Sequence, residues 1–585
     1  MASLTALFTG LQGLNVHARR LDVIGNNIAN VNTTAFKSSR MMFENASSRD
    51  VKIGSAPADT TGGTNPHQIG LGVSIAGVQR DFRTGALDNT GDPRDLAIDG
   101  SGFFIVQRAG TTMYTRAGNF RQDLNDNLVT PTGEWLMGYG VNADFAVQEG
   151  ALVPVNVPLG KLRLAEATTN ATVAGNLNTD GVVPSRGSTV NLLGTATAGL
   201  IALSTSTPAP SAGNRIELTT RLTQIRDPGI TLTESPLFEV GQTLSMSGAQ
   251  KGLSSIPERS LEITETTTVA DLMDFLRVAL GLHDTGSPNP NGQTPGVTLD
   301  SQTGVISIVG NTGTINDLDI ESADLRVLDA SGAFVRVPFV TSKSAAADGE
   351  AVRTTMVVYD SLGSVTSLDV SFVLDSKTTA GTHWRYFIEG NDSLGEQLDL
   401  GTGIISFDPF GRLVTDTPVT VSLSRNGTGA VTPLTFDVSF TGAAGRLTAL
   451  ADRPSEVAGV WRDGLPAGVL ANFVVADNGD VLGAFDNGAI RTLGRVVLAK
   501  VPNDAGMVDV GGNAWAIGPN SGPASVVSPG AVGSGWIVSG ALEMSNVDLG
   551  QEFINLITTS TGYSASSRVI RTTDELMQQL LVLGR

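Results

Sequence analysis

The chain's chemistry-bearing residues are few and scattered. Its four histidines are His17, His67, His283 and His383, and none has another histidine or a carboxylate at metal-ligand spacing. There is no cysteine, so disulfides, thiolate metal sites and thiol nucleophiles are excluded together. Gly160-Lys161 lacks the upstream glycine and the following Ser/Thr of a phosphate-binding loop. Gly100-Ser101-Gly102 sits between strand-like runs and opens no helix. Asp123, Asn125 and Asn127 copy the start of a calcium loop, but the glycine required at position six is missing. The residues point to no enzyme, no metal and no cofactor.

What is patterned is apolar. Leu4, Leu7, Leu11, Leu14, Ala18, Leu21, Gly25 and Ile28 alternate at spacings of three and four. At the other end Leu549, Leu556, Tyr563, Ile570 and Met577 recur every seven residues, with Phe553 and Leu581 between. Such spacing puts the side chains on one narrow helical seam, the geometry of helices packed lengthwise on other helices. The first helix is expected over about Ser3 to Ile28, roughly 40 Å at 1.5 Å per residue. The second is expected to start near Ser545, with Asp548 at its third position, and to reach about Leu583. Thr558 to Gly562 lowers its intrinsic propensity, so it should need neighbours. Seams at both termini predict a subunit that polymerises through its ends.

Between the seams the chain reads as β. It has 585 residues, 69 of them glycine, with 16% charged and 5% aromatic residues, a profile of short strands and many turns. Its length predicts about three to five domains. Leu96-Ala97-Ile98, Asp99-Gly100 and Phe103 to Val106 read as strand–turn–strand. Hairpins are expected through Tyr114–Phe120 and Leu128–Tyr139, and from Thr354 through Asp360-Ser361-Leu362-Gly363 to Leu374. Residues 44–70 read as a polar, irregular excursion. Thr268 and Asp271 cap a helix carrying Leu272, Phe275, Leu276, Ala279 and Leu280, with Gly281 as terminator. Asp284 to Pro295 should be a surface loop, and 196–345 looks like an inserted α+β unit.

Net charge is −19, from 38 basic and 57 acidic residues, with no dense basic patch, which argues against nucleic acid and anionic membrane. The best apolar run, Gly468 to Ala476, is half of the ~18 residues a membrane span needs, so no membrane insertion is expected. The N-terminus lacks the order of a cleavable secretory signal, since His17, Arg19 and Arg20 follow the apolar stretch.

Four blocks carry a resemblance. Leu21-Asp22-Val23-Ile24-Gly25-Asn26-Asn27-Ile28-Ala29-Asn30-Val31-Asn32-Thr33, followed by Phe36-Lys37, resembles the N-terminal signature of the bacterial flagellar rod and hook protein family. Asp95 to Phe104 and Tyr114 to Phe120 resemble its next two blocks, and Gly540 to Leu549 the lead-in to its C-terminal helix. Val357 to Gly363 is similar to a segment of the family's hook members, which a chain of this length also suits. Ala35 stands where the family usually has glycine, and Ser560-Thr561 and Ser566 replace polar residues around Tyr563.

The resemblance implies a structural, extracellular protein of the motility apparatus. Copies would form a flexible helical homopolymer that acts as a universal joint, carrying motor torque from rod to filament. Partners would be rod proteins, the hook cap, hook–filament junction proteins and the flagellar type III export apparatus, which would deliver the chain to the hook outside the cell. The implied fold is multidomain and mainly β, with long N- and C-terminal helices paired in a coiled-coil-like inner layer and one inserted α+β outer domain. Its expected parts are a helical inner domain (1–30, 546–585), a bridging region (31–75, 525–545), a β-rich domain (76–165, 455–524), a β-rich outer domain (166–195, 346–454) and the outermost insertion (196–345). The seam residues would make the inter-subunit contacts, and Asn26, Asn27, Asn30, Asn32 and Phe36 would carry the family motif. A distal-rod or junction protein, and a secreted β-rich adhesin, are the other readings of the same pattern.

Overall fold

The computed structural model describes residues 2–194, 198–202, 215–227, 236–283, 286–390, 398–415 and 417–583. The described chain is mainly β, with three α-helices: α1 (Ala2–Ala29), α2 (Val269–Ala279) and α3 (Leu549–Leu583). None is long and apolar enough to cross a membrane. The chain divides into two compact units, residues 1–163 with 469–585, and residues 164–468.

In the first unit the chain leaves α1 and returns to α3 through a β body built from both ends of the sequence. One sheet runs Asp480–Phe485, Ile490–Val496, Trp135–Tyr139, Phe103–Arg108, Thr111–Thr115, Ala514–Ala516 and Val508–Gly511. Phe103, Ile105, Tyr114, Met137, Val497, Ala499 and Trp515 fill its core. Two expectations are corrected here. Leu96–Asp99 is a strand, but it does not pair with Phe103–Arg108; its partner is Trp536–Ser539, while Phe103–Arg108 pairs with Thr111–Thr115. The 44–70 excursion is not irregular. Ser39–Asn45 pairs with Val73–Arg80, and Ser48–Lys52 with His67–Gly70, so it is an exposed two-stranded arm.

A third correction concerns α3. It begins at Leu549, and Asp548 is its N-cap: the Gln551 amide donates to Asp548 Oδ1 at 3.1 Å. Asp548 therefore meets the helix dipole from the capping position, three residues beyond Ser545, rather than from inside the first turn.

The second unit holds two cores. Ala351–Tyr359, Val365–Thr378, Gly381–Gly390 and Asp399–Phe407 form a four-stranded antiparallel meander, the first hairpin turning through Asp360 to Ser364. It packs with a second sheet, Val419–Leu423, Leu434–Ser439, Asn170–Asn176 and Gly445–Thr448, around Val358, Phe372, Trp384 and Phe436. A separate core gathers Val190, Leu244, Leu272, Leu276, Ile308 and Val327. There α2 lies with its capping box complete, Thr268 and Asp271 bonding each other's backbone, and Gly281 at φ +57° ends it. Of the expected 284–295 loop, residues 284 and 285 lie outside the described residues.

Candidate assembly interface

The two terminal helices lie side by side and antiparallel. A Cβ on Gly10 would come 3.0 Å from Ile570 Cγ1, one on Gly13 2.9 Å from Ser566 Oγ, and one on Gly562 2.7 Å from the His17 ring. Nearer the β body, Asn27 Nδ2 donates to Glu552 Oε1 at 3.3 Å. Glycine at these three positions lets the backbones approach closer than any side chain would permit. The inner face of α1 is Gly10, Gly13, Val16, Ile24 and Asn27, all buried. That of α3 includes buried Thr559 and Thr573 and half-buried Gly562 and Ser566. Their hydroxyls donate to carbonyls one turn back (Thr559 to Asn555, Ser566 to Gly562, Thr573 to Val569), so they enter the contact already satisfied. His17 also faces α3, its ring lying over Gly562.

This small, polar contact is not the leucine seam. Gly10, Gly13, His17, Arg20, Ile24 and Asn27 each precede a seam residue by one position, a turn of about 100° round the helix. Leu11 is accordingly 50% exposed, and Leu7, Leu14, Leu21 and Ile28 are half-buried; nothing is described of the Leu4 side chain. On α3 the spacing of seven walks round a straight helix by about 20° per repeat. Leu549, Phe553 and Tyr563 therefore point outward, Leu556 and Met577 are half-buried, and Ile570 reaches α1 at Gly10. Leu581 is exposed, as are Ile554 and Ile557. The hairpin thus keeps its small residues inside and presents large apolar ones outside, a surface that monomeric proteins seldom leave contiguous.

The base of the hairpin is fixed by charge. Lys37 Nζ lies 2.6 Å from Glu543 Oε1, both side chains fully buried, and Arg116 Nη1 lies 3.4 Å from Glu543 Oε2. Glu543 also accepts the Gly85 amide at 2.9 Å, and Lys37 donates to the Arg83 carbonyl at 2.8 Å. Burial lowers the pKa of Lys37 against the opposing pull of Glu543, and burial likewise lowers that of Arg116. Around this triad the linking strands are pinned by amides. Asn27 exchanges two hydrogen bonds with the Ser39 backbone, at 2.8 and 3.0 Å. Asn546 accepts from the Ser38 amide and donates to the Asp81 carbonyl, both at 2.8 Å.

The other motif residues are less engaged. Asn26 is exposed and its carbonyl accepts from Asn30 Nδ2 at 2.9 Å, while Asn32 is exposed and Phe36 half-buried. Ala35 is buried with φ +57°, and its amide donates to the Glu543 carbonyl at 2.7 Å. A Cβ there opposes the left-handed backbone. Ala35→Gly should therefore raise unfolding free energy by about 0.5–1 kcal/mol after the entropy of the freer unfolded chain is subtracted, as denaturant titration would show.

Sequence reasoning missed Gly10, Gly13, Gly562, Lys37, Arg116, Glu543 and Asn546 as contact residues. The last four lie inside the quoted blocks, and for Lys37, Arg116 and Glu543 a charge set in an apolar or turn-rich block was the available signal. The calcium-like segment is a turn: Asp123 Oδ1 accepts the Asn125 and Asn127 amides at 2.8 Å. Glu134, twelfth in that segment, is instead held by the Thr130 and Thr132 hydroxyls. Among the described residues no cluster of three or more His, Asp or Glu is placed to hold a metal ion.

The segments that build this hairpin and its base match known families. Residues 7–37 match the model described as flagella basal body rod protein, and 538–583 the flagellar basal body rod FlgEFG protein C-terminal. Residues 97–184 match the flagellar hook protein FlgE/F/G D1 domain, and 328–465 the flagellar basal body protein FlaE D2 domain. The flagellar hook protein FlgE of Treponema pallidum is 27% identical over 99% of both chains. Those of Salmonella typhimurium and Escherichia coli are 25% and 24% identical, covering 98% and 99% of this chain and 98% and 100% of their own. From end to end the chain is similar to flagellar hook proteins. Lys37, Arg116 and Glu543 thus lie in, or at the edge of, separately matched segments that converge on one buried site. A crystal structure of Helicobacter pylori flagellar hook protein FlgE2 superposes with TM-score 0.37 at 17% identity, covering 78% of this chain and all of the other, too loosely to bear on the argument.

Proposed function

We propose that this chain is the structural subunit of the bacterial flagellar hook, polymerising into a flexible helical tube that transmits motor torque from rod to filament. The observation that carries the reading is the outward apolar face of the α1–α3 hairpin, joined to end-to-end similarity with proteins named flagellar hook protein. A repeated head-to-tail contact that does not close generates a helical polymer. In it the leucine seam of one copy meets the α3 face of others, in a coiled-coil-like inner layer with the β bodies and the 196–345 insertion outside it. Each leucine buried this way contributes roughly 1.5–3 kcal/mol, enough to make the helical wall stiff against twist. Polar contacts between neighbouring β bodies are individually weak, so they slide as the tube bends. The 44–70 arm is exposed along both strands and suits a bridge between copies.

The remaining roles follow from membership of the axial structure: rod proteins at one end, cap and junction proteins at the other, and delivery to the cell exterior by the flagellar type III export apparatus. Negative-stain images of the full chain polymerised at high salt should show curved tubes. Straight short rods would favour a distal-rod protein, and isolated fibrils or monomers at all salt concentrations would reject the reading.

A further inference from the structure

Within the second unit, one junction is made of buried charge where apolar contact would be the ordinary choice. His283 follows α2 and is 1% exposed, with its backbone held by Asn311 through bonds of 3.1 and 2.9 Å. Its ring reaches the four-stranded meander, 4.9 Å from Phe387. Nε2 lies 3.0 Å from Glu389 Oε1 and Nδ1 lies 2.6 Å from Asp399 Oδ1. A neutral imidazole has one N–H, so it would turn the lone pair of its other nitrogen onto a carboxylate oxygen at hydrogen-bond distance. Nδ1 faces Asp399 at ion-pair distance without an aligned hydrogen bond, so it is the doubly protonated, charged ring that both carboxylates attract.

The surroundings add two cations and one more carboxylate. Lys251, 2% exposed, donates to Glu389 and, at 2.8 Å, to the Gly281 carbonyl. Arg353 donates to the Ile315 and Lys251 carbonyls at 2.9 and 3.2 Å and lies 4.0 Å from Glu389 Oε2. Asp369 stands opposite Glu389 in the strand register and accepts from the Thr355 hydroxyl at 2.6 Å. Lys251 and His283 belong to the α2-containing lobe; Arg353, Asp369, Glu389 and Asp399 belong to the meander.

We propose that His283 is a protonation-controlled latch, holding the α2-containing lobe against the meander as an imidazolium and weakening that hold when the ring loses its proton. The direction of its titration agrees. Burial opposes the charged ring, but Asp399 and Glu389 outweigh it, and the His283 pKa is raised above 6.5. Glu389 is itself held far below the usual carboxylate range despite burial, mainly by Lys251, and stays charged as His283 titrates. A raised folded-state pKa means that the latch contributes fully below about pH 6.5 and is lost as pH climbs through the folded value. The latch therefore loosens on the alkaline side, with a tenfold change in the closing equilibrium for each unit of pKa elevation.

The test uses the full chain with 13C-labelled histidine Cε1. With only four histidines, His283 is assigned by substituting His17, His67 and His383 one at a time. The His283 ring should titrate above 6.5, and tryptic cleavage within the lobe should accelerate through the same midpoint. Asp399 is 37% exposed, so Asp399→Asn should fold; it should lower both midpoints together. A ring that titrates at or below 6.5 overturns the proposal, as does a cleavage profile unchanged in Asp399→Asn. His283→Gln, where it folds, should show cleavage independent of pH across that range, and a retained wild-type profile would also overturn it.

Discussion

Glu543→Ala should cost the first unit about 3–5 kcal/mol of stability, the scale on which removing one partner of a buried ion pair is felt. The loss is larger than for a simple pair because two cations share this carboxylate. With Glu543 gone, Lys37 and Arg116 remain buried with no counter-charge, and the Gly85 amide loses its acceptor. Lys37→Met should be milder, since Glu543 would keep Arg116 and Gly85, and the methionine fills much of the same volume. Chemical denaturation of both variants checks the order: Glu543→Ala well below Lys37→Met, and both below the parent. Equal losses would mean that Arg116 does not share the site.

Leu7→Ser/Leu11→Ser/Leu14→Ser should abolish polymerisation while leaving the β body folded. Leu11 is half exposed and Leu7 and Leu14 are only partly buried, so the monomer loses less than the polymer. In the proposed polymer they are the buried seam. At roughly 1–2 kcal/mol for each partly covered leucine, the triple change removes about 3–6 kcal/mol per subunit contact. With 1.4 kcal/mol per tenfold, the critical concentration should rise by roughly a hundred- to ten-thousand-fold. Near-UV circular dichroism of the monomer should match the parent.

Local signals were readable where one stretch of chain satisfies itself. The α2 capping box needs only Thr268 and Asp271, the 351–378 hairpin needs only its turn and its alternation, and α1 ran within a residue or two of its expected bounds. What depended on a distant partner was not readable. Leu96–Asp99 had a turn beside it that suggested a hairpin, yet its ladder is completed by Trp536–Ser539 from the far end of the chain. The same holds for the helix faces. A leucine seam announces itself by spacing, but Gly10 and Gly13 acquire meaning only once Ser566 and Ile570 are known to lie over them. Lys37, Arg116 and Glu543 could each pass for a surface charge, because no short-range pattern encodes that three blocks meet. The 48–70 arm lacks alternating burial altogether, all nine residues of its two strands being exposed, so the period-two signal of a strand never forms.

The central claim is that the part of the α1 leucine seam left exposed in the single chain is covered by neighbouring copies. Sedimentation of the Leu7→Ser/Leu11→Ser/Leu14→Ser variant beside the parent, over a series of concentrations at high salt, tests it most directly. The parent should pellet as tubes above a low critical concentration, while the variant stays in the supernatant at concentrations at least a hundredfold higher. A variant that pellets as normal tubes at the parent's critical concentration would contradict the claim.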